Sequence, residues 1–162
     1  MHITQNMISD FFKDEENLFM VWNEDDEFSI RDNFYLVEHV SLFISMSGSI
    51  EFQTNLQPRH ADESHIQFFT RDLSVKIINV SEDYHSVGII FSKKFWTDTL
   101  IHAHPYTTLA LVHPCLEITP EQKRNILDFL SFIKMAKATG RKDKDLVIRH
   151  LILGLFCEIG HI

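Results

Sequence analysis

Val40-Ser41-Leu42-Phe43-Ile44-Ser45-Met46-Ser47-Gly48-Ser49-Ile50-Glu51-Phe52-Gln53-Thr54-Asn55-Leu56 is the stretch that decides how this chain folds. From Ile50 to Leu56, apolar or β-branched residues alternate strictly with polar ones, as a strand with one buried face requires. Val40 to Met46 reads as a second strand. Ser47-Gly48-Ser49 between them supplies the glycine that a tight hairpin connection wants. Working outward, Ile66 to Thr70, Leu73 to Val80 and Tyr84 to Phe91 are further β-rich runs, separated by the turn formers Arg71-Asp72 and Ser81-Glu82-Asp83. Upstream, Leu18 to Trp22 and Glu27 to Ile30 flank the acidic turn Asn23 to Asp26. Many short strands joined by short turns, with no helix among them, predict an antiparallel sandwich or barrel.

The period then changes. Ser92 caps a short helix over Lys93 to Leu100, and a loop holding Pro105 and Pro114 leads to Thr119-Pro120-Glu121-Gln122. This tetrapeptide starts a helix: the threonine accepts from the third helical position, the proline occupies the first, and Gln122 completes a capping box. Ile126, Phe129, Leu130 and Ile133 recur at helical spacing up to Gly140, and a charged turn from Gly140 to Asp145 opens a final helix. Ile148, Ile152, Leu155, Ile159 and Ile162 form one apolar seam on it at 4-3-4-3 spacing. No cap or proline follows His161, so the helix is expected to run off the end of a module cut from something longer. Five such side chains are worth roughly 1.5 to 3 kcal/mol each when buried, so the seam needs cover from the rest of the fold or from a second copy.

The totals fit one domain, or a domain with a small appendage: 162 residues, 44% hydrophobic and 23% charged. No run is apolar enough to span a bilayer and the N-terminus lacks the layout of a secretory signal, which favours the cytoplasm and no membrane partner. Cys115 and Cys157 stand far apart and read as reduced thiols serving as small core residues. A net charge of -8 is the wrong sign for a nucleic-acid binder, although acids crowd the first third and lysines and arginines the last.

Motifs for dinucleotides, nucleotides, zincins and serine hydrolases are absent, so no catalytic residue and no cofactor is expected. His102 and His104 form an H-x-H pair directly before Pro105 with no acid following from Thr107 to Pro114, and read as loop residues. His60-Ala61-Asp62-Glu63-Ser64-His65 gathers two histidines and two acids and reads as a solvated turn between strands, so no metal site is assigned. The candidates for a ligand pocket are His39 and His85, placed within β runs, with Phe52 and Phe69, and also Trp96, as apolar walls.

Four pieces in order carry a family likeness: Ser41 to Ile50, Gly88 to Phe95, Val112 to Thr119 and Ile148 to Ile159. Together they resemble the N-terminal domain of AraC-type transcriptional regulators, especially the Bacteroidetes-like branch, over most of residues 34–162. The resemblance implies a cupin-like β-barrel over residues 1–100 that senses a small-molecule effector. A linker follows over 101–118, then a helical hairpin over 119–162 that pairs two subunits through Ile148, Ile152, Leu155 and Ile159. DNA would be read only by a helix-turn-helix half that this chain does not contain. No ligand contact can be carried over from the family. Two rival readings remain: a metal-dependent cupin enzyme using His39, His60, His65 or His85, and a dimerisation module whose barrel binds nothing.

Overall fold

The computed structural model describes residues 2–15, 17–23, 25–28, 35–98 and 112–160. Its elements are β1 (His2–Ile3), α1 (Gln5–Phe11), β2 (Phe19–Trp22), β3 (Glu27–Phe28), β4 (Tyr35–Leu36), β5 (Val40–Ser47), β6 (Ser49–Thr54), β7 (Gln57–Asp62) and β8 (His65–Phe69), then β9 (Ser74–Val80), β10 (His85–Phe91), α2 (Lys93–Asp98), β11 (Cys115–Glu117), α3 (Pro120–Ala138) and α4 (Lys144–Ile159). One sheet has five strands in the order β11-β8-β5-β10-β2, and a second has four in the order β4-β9-β6-β7. Both are antiparallel throughout. The fold is therefore mainly β with C-terminal helices, as expected. Its β part is a sandwich of two sheets that, among the described residues, are not hydrogen-bonded into a closed barrel.

Both strands of the deciding stretch are present, yet they do not form the expected hairpin. β5 pairs with β8 and β10, whereas β6 pairs with β7 and β9. Gly48 instead turns the chain from one sheet into the other. It sits at φ +65, and a Cβ there would lie 2.5 Å from Ser81 Oγ and 2.6 Å from the Tyr84 nitrogen, so conformation and space both demand glycine. The hairpin of the second sheet is β6–β7, closed by Asn55 and Leu56 at φ 49 and 68, the signature of a two-residue primed turn. Leu56 in place of glycine hid that turn, and Pro58 hid the strand. Proline is tolerated on β7 because β7 is the edge of its sheet.

The five-stranded sheet is buried on both faces. Val40, Leu42 and Ile44 of β5, with Ile66, Phe68, Val87, Ile89 and Phe91, join one cluster with Ile126, Leu130 and Ile133 of α3. The seam of α4 completes that cluster: Ile148, Ile152, Leu155 and Ile159 are each at most 2% exposed and pack within their own protomer. This corrects the expectation that these four residues pair subunits. A 4-3-4-3 stripe specifies only that one helix face needs cover, and here the sheet provides it. The described helix spans Lys144–Ile159, with Gly160 at the cap position donating its N–H to the Phe156 carbonyl; Ile162, the last residue of the expected seam, lies outside the described residues.

The α3 start is as predicted. Thr119 Oγ1 accepts from the Gln122 nitrogen at 3.2 Å and Gln122 Oε1 accepts from the Thr119 nitrogen at 2.8 Å, with Pro120 at the first position. The interval expected as linker contains β11, an edge strand paired with β8; residues 99–111, including His102 and His104, lie outside the described residues. No disulfide joins Cys115 to Cys157; contrary to the expected core placement, Cys115 is half-buried and Cys157 is exposed. No helix among the described residues is long and apolar enough to cross a membrane.

Candidate functional site

Alternation that sends Leu42 and Ile44 toward the helices sends Ser41, Phe43 and Ser45 toward the second sheet. Pairing register puts Gln67 and Phe69 of β8 on that same inner face, opposite Phe43 and Ser41. Phe52, Val75 and Ile77 come from the facing sheet. Together with Ile50, Tyr84 and Ser86 they enclose a cavity of about 30 Å³, room for little more than one water. Its apolar wall is aromatic, with Phe52 edge-on to Phe69 at 5.5 Å between centroids and Phe43 tilted against Phe69 at 6.1 Å.

A polar group of neutral side chains stands at the other wall. Gln67 Nε2 donates to Ser45 Oγ at 2.8 Å, Ser45 Oγ donates to the Tyr84 hydroxyl at 3.5 Å, and that hydroxyl donates to Gln67 Oε1 at 3.5 Å. The three form a closed ring in which every donor points the same way round, so each bond polarises the next. Gln67 and Ser45 are fully buried. Burial pushes the Tyr84 phenol up from its ordinary value, while Ser45 and Ser86 pull it back, so the phenol is a neutral donor at physiological pH. Two of the three legs are long and weak, which leaves Tyr84 and Gln67 able to exchange partners with an incoming hydroxyl or amide.

Of the four sequence-predicted ligand residues, the fold brings Phe52 and Phe69 together in this cavity and places the histidines elsewhere. His39 precedes β5 and packs against the Phe12 ring at 4.7 Å. Both its ring nitrogens are buried and, among the described residues, unpartnered. Burial chiefly depresses its pKa; Glu38 opposes this and Arg71 adds to it. His85 opens β10 on the exposed side. Trp96 lies on the helix side, against Phe68, Phe91 and Phe156. Gln67, Ser45 and Tyr84 escaped the sequence reading because serines alternating with large apolar residues look like the wet face of a half-buried strand. Their signal was Gln67 itself, a lone amide in the otherwise apolar run Ile66 to Phe69.

The His60–His65 segment, expected as a solvated turn throughout, is the end of β7 and the start of β8 with only Glu63 and Ser64 turning between them. Asp62 Oδ1 accepts from the Ser64 hydroxyl at 2.6 Å and the Ser64 nitrogen at 2.9 Å, and meets His65 Nδ1 at 2.8 Å. Ser64 first and His65 second hold this carboxyl well below the usual carboxylate range. His60 stands 3.8 Å from the same carboxylate. The carboxylate is thus spent on its own turn, and among the described residues no group of three or more histidine, cysteine or acidic side chains is arranged to hold a metal ion.

No protein-family profile and no curated protein sequence matches this chain. Solved structures do. Apo ToxT from Vibrio cholerae, a single-substitution variant, superposes with a TM-score of 0.54 at 11% identity, covering 88% of this chain and 55% of that one. Wild-type ToxT with an unsaturated fatty acid bound gives 0.45 at 13% identity over 87% and 52% of the two chains. The AraC-like transcriptional activator CuxR gives 0.43 at 8% identity over 75% and 43%. The chain thus spans about half the length of these proteins and shares the fold of ToxT.

Proposed function

We propose that this chain is the effector-sensing part of an AraC-type transcriptional regulator, a domain that binds and does not catalyse. The observation that carries the reading is the neutral ring of Ser45, Gln67 and Tyr84 buried between two sheets beside an aromatic wall. A sandwich that needed only stability would gain as much from apolar side chains there, and would not have to satisfy three polar groups. The ordered family likeness read from Ser41 to Ile159 supplies the regulatory context. An amphiphile with an uncharged hydroxyl or amide end would bond Gln67 and Tyr84 and lay its apolar body against Phe43, Phe52 and Phe69. The cavity holds only about 30 Å³, so such a molecule has to part the sheets, and that displacement would be the signal.

Pairing of two copies cannot use the α4 seam. In this proposal it uses the outer face of the helix pair, where Phe132, Met135 and Leu146 are each more than half exposed.

A thermal-shift panel of uncharged amphiphiles and long-chain fatty acids tests the sensing claim, since a ligand that favours the native state raises the midpoint by mass action. A hit that is lost in Gln67→Leu and kept in His85→Ala supports it. Silence across the panel, or a hit indifferent to Gln67→Leu, refutes it. Light scattering of Phe132→Glu addresses the dimer: a wild-type chain that is monomeric at high micromolar concentration removes that half of the reading.

A further inference from the structure

An open cleft of about 610 Å³ lies on the helix side of the molecule, away from the sandwich cavity, where the segment around Glu15 to Phe19 meets α2, the end of α3 and the first turns of α4. We propose that it is a second ligand site, for a small organic phosphate ester.

Among the described residues, the charged side chains facing the cleft are Glu15, Lys94, Lys137, Lys144, Asp145 and Arg149, four cations against two acids on a chain whose net charge is -8. Lys94 reaches Glu15 at 3.5 Å. Among the described residues, Lys137, Lys144 and Arg149 have no carboxylate within ion-pair distance. Two of these three are held in place by aromatic rings, which orient a cation without cancelling its charge. The Lys137 ammonium sits 5.2 Å from the Phe19 ring centroid and 5.9 Å from that of Phe11, and the Arg149 guanidinium sits 5.6 Å from that of Phe95. Lys144 bears on Lys137 as a like charge. Cations gathered against their own repulsion and oriented by rings present converging positive charge that suits an anion.

A phosphate monoester fits the set. Its dianionic end offers three acceptor oxygens to two ammonium groups and a guanidinium. Its organic body meets Leu18, Phe19 and Ile148, the apolar part of the lining. The volume suits a molecule of metabolite size. Such a ligand would bridge the β2 approach to the α3–α4 junction, the same layer that covers the sheet's outer face.

Isothermal titration of the 162-residue chain with phenyl phosphate tests the site. The expected result is saturable one-to-one binding that weakens roughly tenfold in Lys144→Gln, the loss of about one charge-assisted hydrogen bond, and further in Lys137→Gln/Lys144→Gln, with Lys76→Gln on the far sheet behaving as wild type. Lys144 is exposed in the first turn of α4, so its variant retains the fold even where the double variant does not. Absence of saturation at millimolar phenyl phosphate, equal affinity in wild type and Lys144→Gln, or equal loss in Lys76→Gln overturns the proposal.

Discussion

Ile152→Ala separates a helix that covers its own sheet from one that grips a second subunit. Ile152 is 0% exposed within the protomer, in the cluster shared by α3, α4 and the five-stranded sheet. Truncation removes three buried carbons, about 0.8 kcal/mol each, and leaves a cavity that close-packed neighbours fill only in part, so the loss is about 3 to 4 kcal/mol. For a chain of this length each kcal/mol moves the midpoint by roughly 2 to 4 °C, giving a fall of roughly 10 °C. Urea and thermal unfolding at protein concentrations of about 2 and about 100 µM are the assay. A core residue gives the same loss at both, because no association is linked to its burial, whereas an interface residue would flatten the concentration dependence of the midpoint. A loss below about 1 kcal/mol, less than the smallest buried Ile-to-Ala costs, or a loss that changes with concentration, would refute the placement of α4.

Three further outcomes are expected. Leu56→Gly should stabilise the chain by about 0.5 to 1 kcal/mol in urea unfolding, since Leu56 holds φ 68 in a turn, 76% exposed, where a Cβ is penalised and nothing is packed. Thr119→Ala should cost about 1 kcal/mol by removing the capping box of α3, read by the same assay. His39→Phe should stabilise by about 1 kcal/mol, because its two buried ring nitrogens have no partner among the described residues. It should also remove a pH dependence. The folded pKa of His39 is depressed below its unfolded value of about 6.5, so the unfolded chain takes the proton first. Wild-type stability is complete above that value and declines as pH falls from it toward the folded pKa, while the variant's does not; parallel curves between about pH 5 and 7.5 would contradict the burial of His39.

Periodicity made strands and helices legible, and it did so because each element buries a definite face. β5, β6, β8, β9 and β10 lie where alternation puts them, and α3 begins at the Thr119 box. Pairing was not legible. Nothing local in Ser47-Gly48-Ser49 distinguishes a hairpin turn from a corner between sheets; the distinction lies in Ser81 and Tyr84, which crowd Gly48 from more than thirty residues away. The same non-local cause explains the α4 seam, whose cover is chosen by the sheet and not by the helix. At the site, aromatic residues could be guessed from their mass, and Phe52 and Phe69 do line the cavity. The polar ring could not, because Ser45 and Gln67 become interior only when a second sheet closes over a face that sequence reads as wet.

The double burial of the five-stranded sheet gives the proposed sensing a mechanical route. On β8, Gln67 and Phe69 face the cavity, while Phe68 between them faces the helices and meets the Phe156 ring of α4 edge-on at 5.6 Å. A backbone shift that parts the sheets at Gln67 therefore moves Phe68 against α4, because adjacent residues of a strand cannot move independently. Coupling of this kind amounts to about 1 to 3 kcal/mol and acts in both directions. Gln67→Leu removes the hub of the polar ring without touching α4. If the two faces are coupled, amide hydrogen exchange changes around Phe156 and Ile152 as well as in β5 and β8, and Phe68→Leu in the same background diminishes the change in α4 while leaving that in β5. Exchange changes confined to the strands would show a sheet that buffers its two faces, and a cavity whose occupancy the helices do not feel.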